Sequence, residues 1–364
     1  MSLNFNPSDK PESYGHHFIV GLSGVTLDDY DKAILGKLRP VGILLLKRNF
    51  DHTRQYQGWL DLLGRLIEDV KRYTGHQKII ISLDHEGGRV HRAPPPITHF
   101  PPAMKYAKRS AEVAKAMATE LKSLGVNVSW SPLADIHSNP ANPIIGDRAF
   151  GTTAAEVSIR AAEFLAALQQ NGILGCAKHY PGHGDTATDS HLELPLLDLT
   201  EQQLRERELI PFKALIDAGA DFVMTAHILY PKIDQHCPAT LSKKMLDDIL
   251  RKDMGFKGII LSDDLDMKAV SEGFNHEENV GNAINAGCDM FIVARHPDPS
   301  TDRPLVLTNY LYRCLRKKLV SEERLHQSFT RIEELLTNRL KSYAVTKLEP
   351  ETLESHAELA RSLA

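Results

Sequence analysis

The chain has 364 residues, 42% of them apolar and 25% charged, with a formal net charge of −4. These proportions are ordinary for a soluble globular protein and leave room for one large domain or two ordinary ones. The slightly acidic balance, with no long basic run, argues against nucleic acid as a partner, and no apolar run is long enough to span a bilayer. The four cysteines, Cys176, Cys237, Cys288 and Cys314, are widely spaced and form no Cys-x-x-Cys pair. Cys176 and Cys288 sit in or beside apolar runs and read as buried thiols, which suits a reducing compartment. Met1 to Lys10 is polar, with no stretch of signal-peptide length. The expectation is a cytoplasmic protein.

In chain order, Phe18 to Leu22 reads as a first strand and Leu27 to Leu38 as a helix ended by Pro40. Val41 to Leu46 is a second strand. Thr53 to Tyr73 is a long amphipathic helix, with Trp59, Leu62, Leu63, Leu66, Ile67 and Val70 on one face. Ile79 to Asp84 is the third strand, followed by a Pro-rich connection, Pro94 to Pro102, and the helix Ser110 to Leu124. Val126 to Trp130 is the fourth strand and Ala154 to Gln170 its helix. Ile173 to Ala177 is the fifth strand, Glu201 to Ala218 its helix. Phe222 to Ala226, Gly258 to Ser262 and Met290 to Ala294 are the last three strands, with helices Lys243 to Arg251, Glu277 to Ala286 and Pro304 to Leu319. Strand and helix alternate eight times, and the strands are continuous apolar runs, as strands buried on both faces should be. The prediction is an α/β fold, a single (β/α)8 TIM-type barrel over residues 1–340. An open doubly wound sheet is disfavoured because no G-x-G-x-x-G follows the first strand. Ser321 to Leu340 adds an extra C-terminal helix. Residues 341–364 form a short charged tail that packs on the barrel or frays from it.

In such barrels chemistry sits at the C-terminal ends of the strands. Strand three runs into Asp84-His85-Glu86-Gly87-Gly88-Arg89 and then Arg92. Beyond strand four come Asp135 and His137, then Ile145-Gly146-Asp147-Arg148-Ala149-Phe150-Gly151. Strand five ends in Lys178-His179, strand six in His227, and strand seven in Ser262-Asp263-Asp264. Ionisable residues on five separate strands, all at one end, point to a site. After strand five, Pro181, Gly182 and Gly184 force a loop that runs on to Asp189-Ser190-His191. The i, i+2 spacing of Asp189 and His191 can aim both side chains one way in an extended segment.

Three classes fit such a ring. A metal-dependent hydrolase ordinarily needs a His-x-His pair after strand one, but His16 and His17 precede that strand, and Lys178, Arg92 and Arg148 would repel a metal. A metal-free glycosidase needs an acid, a nucleophile or base, and many donors for sugar hydroxyls. A non-catalytic sugar-binding or scaffold barrel would leave the Asp189/His191 pair without a task.

The run Lys178 to Thr186 with Asp189-Ser190-His191 closely resembles the signature of bacterial exo-β-N-acetylglucosaminidases of glycoside hydrolase family 3, the NagZ type. Asp84-His85-Glu86-Gly87-Gly88-Arg89-Val90, Ile145 to Gly151 and Ser262-Asp263-Asp264-Leu265 match in order and spacing, so the resemblance covers about Gly21 to Ala294. One departure is His85, where many relatives carry glutamine. The resemblance implies Asp263 as nucleophile, His191 as acid/base with Asp189 as its partner, and Asp84, Arg92, Arg148, Lys178 and His179 as the grip on the terminal sugar. It also implies N-acetylglucosamine β-linked to 1,6-anhydro-N-acetylmuramic acid, with or without peptide, as the small-molecule substrate of peptidoglycan recycling. No cofactor, metal, nucleic acid or membrane partner is expected, and a monomer is the default. Relatives acting as β-glucosidases carry a second-domain glutamate as acid/base, whereas this chain keeps the histidine loop.

The residues support these roles independently. Asp263 is held at a strand end, as a nucleophile should be. Asp264 is adjacent and by strand alternation faces away, which makes it structural. Histidine titrates near 6.5, and a neighbouring carboxylate raises that, so Asp189 suits His191 to proton donation. The loop glycines suit a His191 that moves into place on substrate binding. His183 reads as a loop-stabilising hydrogen bonder. His227 lines the pocket or satisfies a strand-end carbonyl. Asp135 orients Lys178 or Arg148, or contacts sugar.

Overall fold

The structure is a computed structural model that describes residues 10–186, 194–265, 276–294 and 303–363. Eight parallel strands close into a barrel in chain order: β1 (Phe18–Gly21), β2 (Gly42–Leu45), β3 (Ile80–Leu83), β4 (Val128–Ser129), β5 (Leu174–Tyr180), β6 (Phe222–Thr225), β7 (Ile259–Ser262) and β8 (Met290–Val293). β8 pairs back onto β1, with Ile19 against Ile292. The predicted TIM-type barrel is therefore the fold.

Two apolar layers result from the two-residue period of the strands. Ile19, Leu44, Ile80, Val128, Trp130, Leu174, Cys176, Phe222, Met224, Ile259, Leu261, Met290 and Ile292 fill the barrel interior. Their neighbours Phe18, Val20, Ile43, Leu45, Ile81, Leu83, Ala177, Val223, Ile260, Phe291 and Val293 face the surrounding helices. Burial of both sets is why the strands read as unbroken apolar runs rather than alternating ones.

Helices Asp29–Leu38, Tyr56–Thr74, Ser110–Ser123 and Ala154–Gln170 follow the first four strands. Asp28 and Thr153 cap the first and last of these, each accepting a backbone N–H from the first turn. The helix expected after β5 is instead two, Glu201–Glu206 and Leu209–Asp217, separated at Arg207. Pro211 explains the break, since it has no N–H to offer the Arg207 carbonyl and its ring crowds that carbonyl. Lys244–Asp253 is wound with wide π-type turns. Helices His276–Ala286 and Arg303–Arg316 complete the ring.

The extra helix, Glu322–Glu334 extended by Leu335–Arg339, closes the barrel from below. Its Ile332, Leu335 and Leu336, with Leu340, pack into the interior cluster. Lys78 donates to the Thr337 carbonyl, and Arg339 pairs with Asp221 at 2.8 Å, both at the N-terminal ends of strands. The interior cluster opens at the strands' C-terminal ends, where the polar residues were expected. Residues 341–363 run back along the outside and end in the helix Pro350–Arg361.

Candidate active site

In three strands the inward phase delivers a polar residue at or near the C-terminal end. In β3 the series Ile80, Ser82 leads to Asp84. In β5, Leu174 and Cys176 lead to Lys178. In β7, Ile259 and Leu261 lead to Asp263. All three reach the wall of a cavity of about 400 Å³ at the barrel mouth. Leu44, Trp130, Met224 and Ile292, the upper interior layer, also line it.

Lys178 is 2% exposed and bridges two carboxylates, Asp84 at 2.9 Å and Glu86 at 2.6 Å. Burial alone would lower its pKa, but Asp84 and Glu86 outweigh that and raise it. Arg148 lays its fork on Glu86, with Nε donating at 2.8 Å and Nη2 at 2.9 Å, and its Nη1 donates to the Ile144 carbonyl. Burial would raise the Glu86 carboxyl, yet Arg148 and Lys178 hold it well below the usual carboxylate range. Arg92 makes a longer contact with Asp84, 3.7 Å.

His179 comes from the out-of-phase side of β5 but also lines the cavity. The register against β6 shifts between Ala177 and Tyr180, so alternation fails there, and the Lys178–His179 peptide is cis. β5 runs to Tyr180, three residues beyond its expected end. Asp135, fully buried, holds the bend. Its Oδ2 accepts from His179 Nδ1 at 2.7 Å, and its Oδ1 accepts from the His183 backbone at 2.7 Å. Asp135 thus hydrogen-bonds His179 and His183, while its charge also helps to hold Arg148 in its charged form, the pairing the sequence suggested.

The first part of the loop after β5, to Thr186, is pinned. Gly184 lies so close to Ile136 that a Cβ there would sit 1.6 Å from the Ile136 carbonyl oxygen. Tyr230 donates to the Gly182 carbonyl, and Asn142 donates to the His183 carbonyl and to Thr186 Oγ1. Thr186 Oγ1 lies 2.8 Å from His183 Nδ1, so His183 stabilises the loop while also lining the cavity. Burial, and next the nearby His179, lowers its pKa. Asp189 and His191 lie outside the described residues.

Asp263 and Asp264 both line the cavity, and Asp264 has the structural contacts expected of it. Strand geometry stops at Ser262, so the alternation rule no longer applies to the pair. The Asp264 carboxylate accepts the Ala294 N–H at 3.1 Å, and its N–H donates to Asp263 Oδ1 at 2.8 Å. His227 is buried, with Nδ1 2.9 Å from Thr240 Oγ1 and Nε2 3.2 Å from the Asp264 carbonyl, in line with the strand-end carbonyl contact the sequence offered as one of two readings. His85 is buried against His91, and its pKa is lowered well below the ordinary value, first by burial.

The cavity therefore gathers Asp84, Arg92, Arg148, Lys178, His179 and Asp263 as anticipated. Glu86 was within the quoted motif but unassigned. Its signal was the i+2 spacing from Asp84. Among the described residues, no group of three or more His, Cys, Asp or Glu side chains is arranged to hold a metal ion, and no helix is long and apolar enough to cross a membrane.

Residues 22–335 match the glycosyl hydrolase family 3 N-terminal domain. The chain is 36% identical over 284 residues to a β-hexosaminidase of Psychromonas ingrahamii, covering 75% of this chain and 81% of that protein. A β-hexosaminidase of Chromobacterium violaceum is 35% identical over 292 residues, covering 77% and 79%. Among solved structures, NagZ from Neisseria gonorrhoeae in complex with N-trifluoroacetyl-D-glucosamine superimposes with a TM-score of 0.75 at 28% identity, covering 96% of this chain and 98% of that one. A family 3 β-N-acetylglucosaminidase from Paenibacillus gives a TM-score of 0.86 at 28% identity, covering 98% and 68%.

Proposed function

The chain belongs to glycosyl hydrolase family 3 and is a β-N-acetylhexosaminidase, and from that premise we propose that it is a retaining exo-enzyme of peptidoglycan recycling. In this reading it works in the cytoplasm, as a monomer, and removes terminal N-acetylglucosamine from 1,6-anhydro-N-acetylmuramic acid fragments, with or without peptide. The observation that carries the mechanism is Asp263, in the inward phase of β7, on a cavity closed from below. A pocket of about 400 Å³ with a closed floor, at the small end of ligand sites, suits one terminal sugar rather than the middle of a chain.

Asp84, Arg92, Arg148, Lys178 and His179 supply acceptors and donors for the hydroxyls of that sugar. Asp263 attacks the anomeric carbon as the bond to the leaving oxygen breaks, and His191 protonates that oxygen. Water then attacks the same carbon, gives its proton back to His191 and releases Asp263, so the configuration is retained. Asp189 pairs with His191 and favours its charged form before the first step.

The test combines trapping with a leaving-group comparison. An activated 2-fluoro sugar should label Asp263; label on Asp264 or Asp84, or an inverted product, overturns the assignment. A nitrophenolate leaves with little protonation, whereas a sugar alkoxide does not. His191→Ala should therefore damage cleavage of the natural disaccharide by roughly 10²–10⁴-fold while sparing glycosyl-enzyme formation from an aryl glycoside. Equal losses on both substrates would remove His191 as the acid. Wild-type preference for the aryl glucoside over the N-acetylglucosaminide would move the chain to the β-glucosidases.

A further inference from the structure

Four cationic side chains, Arg89, Arg92, Arg148 and Lys178, line the cavity. Such a lining is ordinarily an anion trap, because a guanidinium fork matches two oxygens of a phosphate or carboxylate at once. The sugar assigned to this pocket is neutral, so something must keep anions out. Glu86 is placed to do so. It is 3% exposed, on the cavity wall, and both its oxygens are taken: Oε2 by Arg148 Nε, Oε1 by Arg148 Nη2 and Lys178. Asp84 differs, being 21% exposed with one contact each to Lys178 and Arg92, which leaves it lone pairs for a sugar. Lys178 has three N–H donors; Asp84 and Glu86 take two, and one remains for a neutral acceptor. Arg89 turns to the Pro143 and Ile144 carbonyls. With Asp263 and Asp264 included, the described lining sets four carboxylates against the four cations.

We infer that Glu86 is a specificity-determining residue: by closing the Arg148 fork and taking one Lys178 donor, it denies the pocket to phosphate and to sugars carrying a phosphate or carboxylate, and reserves it for a neutral sugar. This rests on the reading of the cavity as the terminal-sugar site. It also disfavours phosphate as a competitor of water at the glycosyl-enzyme, since the Arg148 fork is closed by Glu86 and Arg92 has the Asp84 carboxylate beside it at 3.7 Å.

The experiment follows hydrolysis of an aryl β-N-acetylglucosaminide at matched ionic strength, with inorganic phosphate or N-acetylglucosamine 6-phosphate added. The wild type should show no competitive inhibition by millimolar phosphate. Glu86→Gln, which keeps the shape and drops the charge, should become at least about tenfold more sensitive, the effect of one charge-assisted hydrogen bond. Its KM for the neutral substrate should rise, and phosphate should raise its melting temperature more than the wild type's. Glu86→Asp keeps the charge and should be less sensitive to phosphate than Glu86→Gln. Competitive inhibition of the wild type by phosphate overturns the inference, as does a folded Glu86→Gln no more sensitive than the wild type. If Glu86→Gln does not fold, the wild-type result decides alone. A wild type that fails to cleave the N-acetylglucosaminide would instead sink the reading of the site.

Discussion

Asp135 illustrates what a residue's neighbours in space add to its neighbours in sequence. It follows β4, yet its partners are two backbone N–H groups and one imidazole from β5 and its loop. Nothing in its local sequence points across to those groups, and a charge beside Lys178 and Arg148 in the strand-end ring was the natural reading. Asp84, Lys178 and Asp263 were legible for the opposite reason: each extends the inward phase of its own strand by one step, a local property. Glu86 lay one further step along that series, but where the chain has left its strand the phase alone does not assign a partner. Asp135→Asn should keep the side chain's volume and lose the charge that holds His179 and His183. A hydrogen bond to a charged group is worth roughly 1.5–3 kcal/mol, so unfolding in urea should shift by about that amount. Hydrolysis should fall at least about tenfold as His179 loses its orientation on the cavity wall. Unchanged kcat/KM in a destabilised variant would confine Asp135 to a structural role.

At the scale of elements, the helix break after β5 has an electrostatic consequence. Arg207 stands between the two short helices and reaches Asp185, in the loop after β5, at 2.6 Å and Glu208 at 2.5 Å. Glu208 is 1% exposed and packs under Gly182. Burial pushes its carboxyl up to about 7, against the opposing charge of Arg207. Its Oε2 has no hydrogen-bond partner, in keeping with a neutral carboxyl whose burial outweighs the ion pair. The folded pKa lies above the unfolded one, near 4.5, so the folded state binds more protons in the interval between them. The contribution to stability is full below about 4.5 and is lost as the pH rises through 7, by roughly 3 kcal/mol at most. Glu208→Gln should flatten this limb: urea midpoints taken from pH 5 to pH 8 should decline less in the variant, which should be the more stable protein at pH 8. Parallel declines would show that Glu208 stays ionised against Arg207. The break was legible only in Pro211, because the apolar spacing from Glu201 to Ala218 is continuous and periodicity alone reads one helix.

At the scale of the whole molecule, the eightfold alternation was legible because each strand is buried on both faces and each helix on one. The tail carries neither signal strongly. Its helix, Pro350–Arg361, has no fully buried residue, and its half-buried stripe of Leu353, Ala357 and Ala360 is short and mostly small, so it announces itself weakly. The tail docks through apolar contacts of Tyr343, Val345, Leu359, Ala360 and Leu363 with the core and through backbone and polar contacts: Thr346 N to the Ser123 carbonyl at 2.9 Å, Leu348 N to Tyr56 Oη at 3.1 Å, and His356 Nδ1 to Glu120 Oε1 at 2.8 Å. Val345 packs over Gly64 and Gly125. Glu120 is fully buried, and its second oxygen accepts the Thr98 N–H at 3.0 Å, in the Pro-rich connection that follows Arg92. The tail thus shields a buried carboxylate that also fastens the segment after β3. His356→Ala removes one partner of that carboxylate and should cost about 1–3 kcal/mol. A chain ending at Leu340 should lose more, since it also uncovers Tyr56, Gly64 and Gly125. In both cases kcat/KM at 25 °C should stay within about twofold while the protein remains folded, because Glu120 keeps its bond to Thr98 and the cavity walls belong to other elements. Urea unfolding paired with kinetics on one aryl glycoside checks this. A truncated chain as stable as the full one would mean the tail is a passive cover, and a selective rise in KM would mean that Glu120 transmits the tail's docking to Asp84 and Arg92.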